Sequence, residues 1–286
     1  MARLRVLTLN IWHREAPWER RRELIREGIL ALDPDIIGLQ EVLQLRAGEL
    51  VQNQAAELLR DTPYQFVYGA ASSLGPGFEF GNAIASKFPI GEPLVIRLPG
   101  EETGETRSLV HAVVATPLGD VPVFATHLNW KLHHGSVRLR QIDAILALMA
   151  EKFPIGDAFP PVGETFPPIL MGDFNAEPES DEIRFLRGFA TREGRSVFFA
   201  DAWAYGGDGG PGFTFDRKNA FAARSHEPPR RIDYIFVRGP DSKWRGEPLK
   251  TTLAFTEPSE DGVWASDHFG LLTELSTHAE TRAWPA

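Results

Sequence analysis

The sequence predicts an α/β domain in which much of the strand pairing is antiparallel. Three observations carry this. Short, β-prone apolar runs alternate with stretches whose apolar residues recur at helical spacing. Between residues 64 and 128, strand-like runs follow one another with only short turns between them, as antiparallel neighbours do. The chain has 286 residues, 43% hydrophobic and 24% charged, which is enough to bury a sizeable core as one unit. A single domain over 1–286 is expected, because the two loop-rich stretches, 154–168 and 205–231, lead straight back into strands.

The elements follow in order. "LRVLTLN" (4–10) reads as a first strand. "WERRRELIREGILAL" (18–32) puts Leu24, Ile25, Ile29 and Leu32 on one helical face, and Pro34 stops that helix. "DIIGLQEV" (35–42) is a second buried strand, and "LRAGELVQNQAAELLR" (45–60) reads as a second helix. The runs "YQFVYG", "GNAIASK", "PLVIRL", "RSLVHAVVAT" and "VPVFATHL" are the antiparallel series. "SVRLRQIDAILALMAEKF" (136–153) is an amphipathic helix, "PPILMGDFN" a further strand ending in polar groups, and "RIDYIFVRG" and "FGLLTELS" the last strands.

Composition narrows the function. Cysteine is absent, which excludes disulfides and thiolate metal sites. The net charge of −9 gives no generic attraction to a phosphate backbone. A phosphorylated substrate would therefore require a metal or a local basic cluster. No apolar run approaches the ~18 residues of a membrane span, and "MARLRVLTLN" reads as a strand, not a signal peptide. A cytoplasmic location is expected, with a trimmed secretion signal left open; no protein partner is implied.

The informative feature is what ends the strands. The first ends at Asn10, the second at Glu41, "VFATHLN" at His127 and Asn129, and "ILMGDFN" at Asp173 and Asn175. "RRIDYIFV" carries Asp233, and Asp267 and His268 stand immediately before the final strand. Singly, each has a plain structural reading: Asp173 and Asn175 suit an Asx turn or a helix N-cap, and "SDH" a short turn. Jointly they point to a site, because in open α/β sheets sites form where strand ends converge. The oxygen ligands Glu41, Asp267 and Asn10 suit a hard cation, Mg²⁺ or Mn²⁺. The histidines and remaining carboxylates suit proton transfer and charge stabilisation.

The ordered set "LTLNIW", "DIIGLQEV", "GNAIASKFPI", "FATHLN", "ILMGDFNAEP", "RIDYIFVRG" and "ASDHFGLL" resembles the endonuclease/exonuclease/phosphatase superfamily. The resemblance implies a four-layer α/β sandwich: two packed, mainly antiparallel sheets flanked by helices, with the site at one edge. It implies a Mg²⁺- or Mn²⁺-dependent phosphoric ester hydrolase, with Glu41 as principal metal ligand beside Asn10 and Asp267. Asp173 would orient or deprotonate the attacking water, Asn175 would hold that water or a phosphoryl oxygen, and Asp233 would fix the tautomer of His268. His268 and His127 would donate to phosphoryl oxygens. Arg107 falls where many members carry a phosphate-contacting arginine, and Asn129 is a further candidate on the substrate side. Trp12 stands where some nuclease branches have an aspartate, so the metal shell is expected to be leaner.

Substrate is less legible. "GFTFDRKNAF" resembles a loop of the tyrosyl-DNA phosphodiesterase and deadenylase branches. Arg217 and Lys218, with Arg224, Arg230 and Arg231, make it the most basic stretch of the chain, a candidate receptor for a substrate phosphate. Trp12, Trp130, Phe213, Phe215 and Trp264 are candidates for stacking on a base. A nucleotide or nucleic acid is the expected substrate class. A lipid head group or a sugar or inositol phosphate is the alternative, and a catalytically dead binding module the remote one.

Overall fold

The computed structural model describes residues 3–48, 50–154 and 165–278. In chain order the elements are β1 (Arg3–Asn10), α1 (Trp18–Leu32), β2 (Ile36–Ala47), β3 (Leu50–Asn53), α2 (Gln54–Leu59), β4 (Gln65–Gly75), β5 (Phe78–Ser86), β6 (Leu94–Leu98), β7 (Arg107–Thr116) and β8 (Gly119–His127). After these come α3 (Gly135–Lys152), β9 (Ile169–Asp173), α4 (Asp181–Leu186), β10 (Ala200–Asp201), α5 (Ala202–Gly206), β11 (Asp233–Val237), β12 (Pro248–Ala254) and β13 (Gly270–Ser276). The Pro/Gly-rich loop expected over 154–168 falls mostly outside the described residues.

The strands form two mixed sheets. One runs β12-β13-β1-β2-β5-β4, with β3 added on β2; the other runs β10-β11-β9-β8-β7-β6. Each contains one parallel pair, β1 with β2 and β8 with β9, among antiparallel neighbours. Between the sheets lies a core that includes Leu4, Val6, Ile36 and Ile84 from the first, and Val110, Val123, Ile169, Met171 and Ile235 from the second. The outer face of the first sheet packs Leu7, Leu9, Ile37 and Leu39 against Ile25 and Ile29 of α1 and Leu58 of α2. The outer face of the second packs Phe124, Leu170 and Phe236 against Ile142, Ile145 and Met149 of α3 and Ile183 of α4. The architecture is thus helix, sheet, sheet, helix. The strands are buried on both faces, which is why they read as near-continuous apolar runs and not as alternations.

Two expectations differ. Residues 45–60 do not form one helix. β2 continues to Ala47, turns at Gly48 (φ +62°) and pairs Gln44–Ala47 with Leu50–Asn53. The helix begins only at Gln54, where the Asn53 side chain accepts the Ala55 N–H at 2.8 Å as an N-cap. The edge strand β12 was also unforeseen. Its "LKTT" segment has too few apolar residues to read as a strand, and its place is set by pairing along β13.

Register and chain direction place the site. The parallel pair β8–β9 sets His127 opposite Asp173, and the antiparallel pair β9–β11 sets Asp173 opposite Asp233. In the other sheet, Asn10 pairs with Gln40, one residue before Glu41. β13 runs antiparallel to β1 with Leu271 opposite Thr8, so the residues just before β13 lie beside the end of β1. All the polar strand ends therefore meet at one edge of the sandwich.

Candidate active site

Local backbone geometry aims these groups. Between Leu39 and Val42 the β2–β5 register shifts, and Glu41 takes φ +59°. This β-bulge turns Glu41 out of the ladder into the cleft. Gly172 in β9 has φ +141°, and a Cβ there would come within 1.9 Å of the Thr126 carbonyl oxygen. Only glycine allows β9 and β8 to approach closely enough to set Asp173 beside His127. Asn175, at φ +50°, closes an Asx turn in which Asp173 Oδ1 accepts the Asn175 N–H at 2.9 Å. The turn-forming reading of this pair is met, and the same turn leaves the other oxygen of Asp173 facing the cleft.

That oxygen, Asp173 Oδ2, is the centre of the site. It accepts from Asn10 Nδ2 at 3.1 Å and lies 3.4 Å from His127 Nε2 and 3.8 Å from His268 Nε2. His268 Nδ1 in turn meets Asp233 Oδ2 at 2.9 Å. Burial alone would disfavour the imidazolium, but Asp233, Asp267 and Asp173 outweigh it and hold His268 well above the usual histidine range. His127 is the opposite case: burial, reinforced by the Arg107 charge, pushes it down to about 3.

The contacts of His127 bear on the donor role expected of it. Asn175 Nδ2 donates to the Leu128 carbonyl at 3.2 Å, which fixes the amide orientation. The same nitrogen stands 3.0 Å from His127 Nε2, so Nε2 accepts and the ring proton belongs on Nδ1. Nδ1 is buried with no hydrogen-bond partner among the described residues. His127 in this geometry positions Asn175 and offers no proton to a phosphoryl oxygen.

Glu41 and Asp267 form the acidic wall of the same cleft. Burial raises both carboxyls, Asp267 to about 6, where Glu41 adds to the rise and His268 opposes it. Two largely buried carboxylates that disfavour each other's charge fit a divalent cation, with Glu41 and Asp267 as the residues that would hold it. Asn10 is less apt as a ligand than expected. Its Oδ1 accepts the Trp12 N–H at 2.9 Å, and its Nδ2 donates to Glu41 Oε1 at 3.2 Å. A second possible set is Asp173, Asp233 and His268, whose ligand atoms lie within 4.8 Å of one another. There, however, Asp233 Oδ2 is already engaged by the imidazole Nδ1 at 2.9 Å, and His268 Nε2 stands 3.8 Å from Asp173 Oδ2, beyond hydrogen-bond range.

The remaining candidates separate. Arg107, 8% exposed, lines the cleft and donates to Glu105 Oε2 at 3.2–3.3 Å. Asn129 is wholly buried, its Nδ2 bound to Thr103 Oγ1 and Glu105 Oε2 and its Oδ1 accepting from Lys131 N; it braces the rim from behind. Arg217 turns back on its own loop to donate to the His226 and Glu227 carbonyls. Lys218 pairs with Glu257 and sits over the Phe269 ring, beside a separate depression lined by Trp203 and Phe213. Arg231 is buried against Asp201. Of the basic loop, it is Arg230 that lines the cleft, held by Glu227 and lying over Phe215. Of the aromatics, Trp12, Trp130 and Phe215 line the cleft, whereas Trp264 packs in a cluster with Phe269 and Phe221. Among the cleft residues that were not foreseen are His13 and Phe80.

The cleft has two joined lobes. The first lobe is about 280 Å³ and holds Asp173, His268, Asp267 and Arg230. The second, about 440 Å³, shares Glu41, His13, Phe80, Arg107 and Trp130 and extends to Ser72 and Thr106. Trp130 is 51% exposed. Among the described residues, no helix is long and apolar enough to cross a membrane.

The chain's likeness to known proteins agrees with this geometry. The model of the Endonuclease/Exonuclease/phosphatase family matches residues 7–268. Among solved structures, an endonuclease/exonuclease/phosphatase from Beutenbergia cavernae is 26% identical, with a TM-score of 0.70 over 96% of this chain and 72% of that one. One from Bacteroides vulgatus is 19% identical, with a TM-score of 0.71 over 96% and 99%. D. rerio TDP2 complexed with a single-strand DNA product is also 19% identical, with a TM-score of 0.70 over 96% and 100%. No curated protein matches the chain.

Proposed function

This chain belongs to the endonuclease/exonuclease/phosphatase family, and on that premise we propose that it is a divalent-metal-dependent phosphodiesterase acting on a nucleotide or nucleic-acid substrate. The observation that carries the reading is the environment of Asp173. A buried carboxylate has one oxygen tied down by the Asn175 N–H. Its other oxygen faces the cleft among Asn10, His127 and His268.

In this reading Asp173 Oδ2 accepts a proton from the attacking water, and Asn175, fixed by His127 and Leu128, orients that water. His268, kept cationic by Asp233, stabilises the negative charge that builds on the phosphoryl oxygens. Arg107 and Arg230 bind the phosphate from the two sides of the lobe. A divalent cation held by Glu41 and Asp267 supplies polarisation of a phosphoryl oxygen and charge neutralisation.

The substrate class rests on the second lobe. Trp130 and Phe80 offer ring faces for a base, with Ser72 and Thr106 as polar neighbours. The DNA product named for the TDP2 relative agrees with that class. The test is hydrolysis of bis-p-nitrophenyl phosphate, single-stranded DNA, RNA, dinucleotides, inositol phosphates and sphingomyelin, with Mg²⁺, with Mn²⁺ and with EDTA. Cleavage of the nucleic-acid members, abolished by EDTA, is expected. Cleavage of an inositol phosphate or sphingomyelin alone would overturn the substrate class.

A further inference from the structure

We propose that His13 is a nitrogen ligand to the cation held by Glu41 and Asp267, so that the metal site of this chain is a mixed carboxylate–imidazole site. The proposal rests on the metal-dependent reading above. His13 Nε2 lies 4.0 Å from Glu41 Oε2. That is beyond hydrogen-bond range, yet close enough for one ion to touch both groups. His13, Glu41 and Asp267 line the same lobe.

The backbone that delivers the ring is unusual. Trp12 and His13 are consecutive non-glycine residues at φ +51° and +28°. Such conformations persist only where their surroundings enforce them, and they cluster at functional sites. Here the enforcement is Arg21, a fully buried arginine from α1. Its guanidinium donates to the carbonyls of Ile11 at 2.8 Å and of Trp12 and His13 at 2.9 Å. It also reaches the Glu15 carbonyl at 3.2 Å. The Trp12 N–H is held by Asn10 Oδ1.

None of these bonds uses the His13 imidazole. Arg21 grips the carbonyl of His13 and leaves the side chain one-third exposed in the cleft. The clamp thus explains the turn but does not require histidine in it; the ring is what the turn presents. Two carboxylates alone also leave the ion's shell lean. Trp12 stands where some nuclease branches have an aspartate, and Asn10 directs its amide nitrogen at Glu41. An imidazole nitrogen fills that gap. It also changes the chemistry, because imidazole binds Mn²⁺ and later transition ions in preference to Mg²⁺.

The test is metal binding to the full chain, with no substrate present. Mn²⁺ is titrated into the unsubstituted protein, His13→Gln and Glu41→Gln. Affinity is read by electron paramagnetic resonance and nitrogen coordination by pulsed measurement of ¹⁴N coupling. The unsubstituted protein is expected to show ¹⁴N coupling that His13→Gln abolishes, with Mn²⁺ affinity reduced at least ~10-fold, the scale of losing a group that supports a metal site. Mg²⁺ affinity, measured by calorimetry, is expected to change less. If His13→Gln fails to fold, His13→Asn keeps the clamped carbonyl and serves in its place. With neither variant folded, absence of ¹⁴N coupling in the unsubstituted protein overturns the proposal, and coupling lost in Arg21→Lys, which loosens the clamp, supports it. Glu41-dependent Mn²⁺ binding without ¹⁴N coupling, or with coupling that survives His13→Gln, overturns the His13 role and leaves the metal-dependent reading standing. Mn²⁺ binding that ignores Glu41→Gln overturns both.

Discussion

His268 Nδ1 lies 2.9 Å from Asp233 Oδ2, and the opposite ring nitrogen faces Asp173 Oδ2 at 3.8 Å. Asp233 and Asp173 sit opposite each other on paired strands. One imidazole therefore stands between two carboxylates: Asp233 holds its charge and orientation, and Asp173 is the base proposed for the attacking water.

The first prediction is that Asp233→Asn lowers kcat at least ~10²-fold, the scale of a positioned charge-stabilising group. KM should change far less, because no substrate contact is removed. Steady-state kinetics on bis-p-nitrophenyl phosphate check this; an unchanged kcat would reduce the pair to a structural contact.

Arg230→Ser is expected to raise KM for an anionic substrate, and the double variant Arg217→Ser with Lys218→Ser to leave it nearly unchanged. Arg230 lines the cleft, while the other two are engaged by His226, Glu227 and Glu257. Measuring KM for a short single strand at low and at ~0.15 M salt checks both, since exposed charge effects fade once the Debye length falls to about 8 Å. A larger effect from the double variant would return the recognition role to the loop tip.

Acid destabilisation should trace in part to His111. Burial lowers its pKa, and its Nδ1 is 3.0 Å from the Val123 carbonyl oxygen while its ring stacks on Phe124. Because the folded pKa lies below the unfolded value of about 6.5, the unfolded state binds the proton more readily as pH falls. The stability from keeping His111 neutral is thus complete above about pH 6.5 and is lost below it. His111→Phe removes that proton and should flatten the pH dependence of unfolding free energy as pH falls below about 6.5. Urea melts at several pH values read the slope. An unchanged slope would mean that His111 titrates alike in both states.

These sites were not equally visible in the sequence. Asn10, Glu41, His127 and Asp173 stood out because each ends a run buried on both faces, where a polar residue needs a reason. Asp233 and His268 were pairable by motif order, although the distance between them depends on strand register. His13 carried no signal. Its placement depends on a left-handed turn clamped by Arg21 from another element, and nothing in local composition encodes that. The basic loop misled for a similar reason. Its charge is plain in the sequence, but where Arg217, Arg230 and Arg231 each point depends on Glu227, Asp201 and Phe215. In "LRAGELVQNQ" the hairpin is mostly exposed, with Arg46, Ala47, Leu50, Val51 and Gln52 all facing solvent, so no strand-like alternation marked it among helix-forming residues.

The central claim is that the Asp173 carboxylate activates water for phosphodiester cleavage in a metal-dependent cleft. Asp173→Asn keeps the side chain's size and the oxygen that accepts the Asn175 N–H but removes the base. The most direct measurement is single-turnover hydrolysis of bis-p-nitrophenyl phosphate by both forms, with saturating Mg²⁺ or Mn²⁺ and with EDTA. The account predicts that the substitution slows hydrolysis at least ~10²-fold, that the melting temperature stays close to that of the unsubstituted protein, and that EDTA silences both forms. Full activity in Asp173→Asn, or hydrolysis by the unsubstituted protein that EDTA leaves untouched, would contradict it.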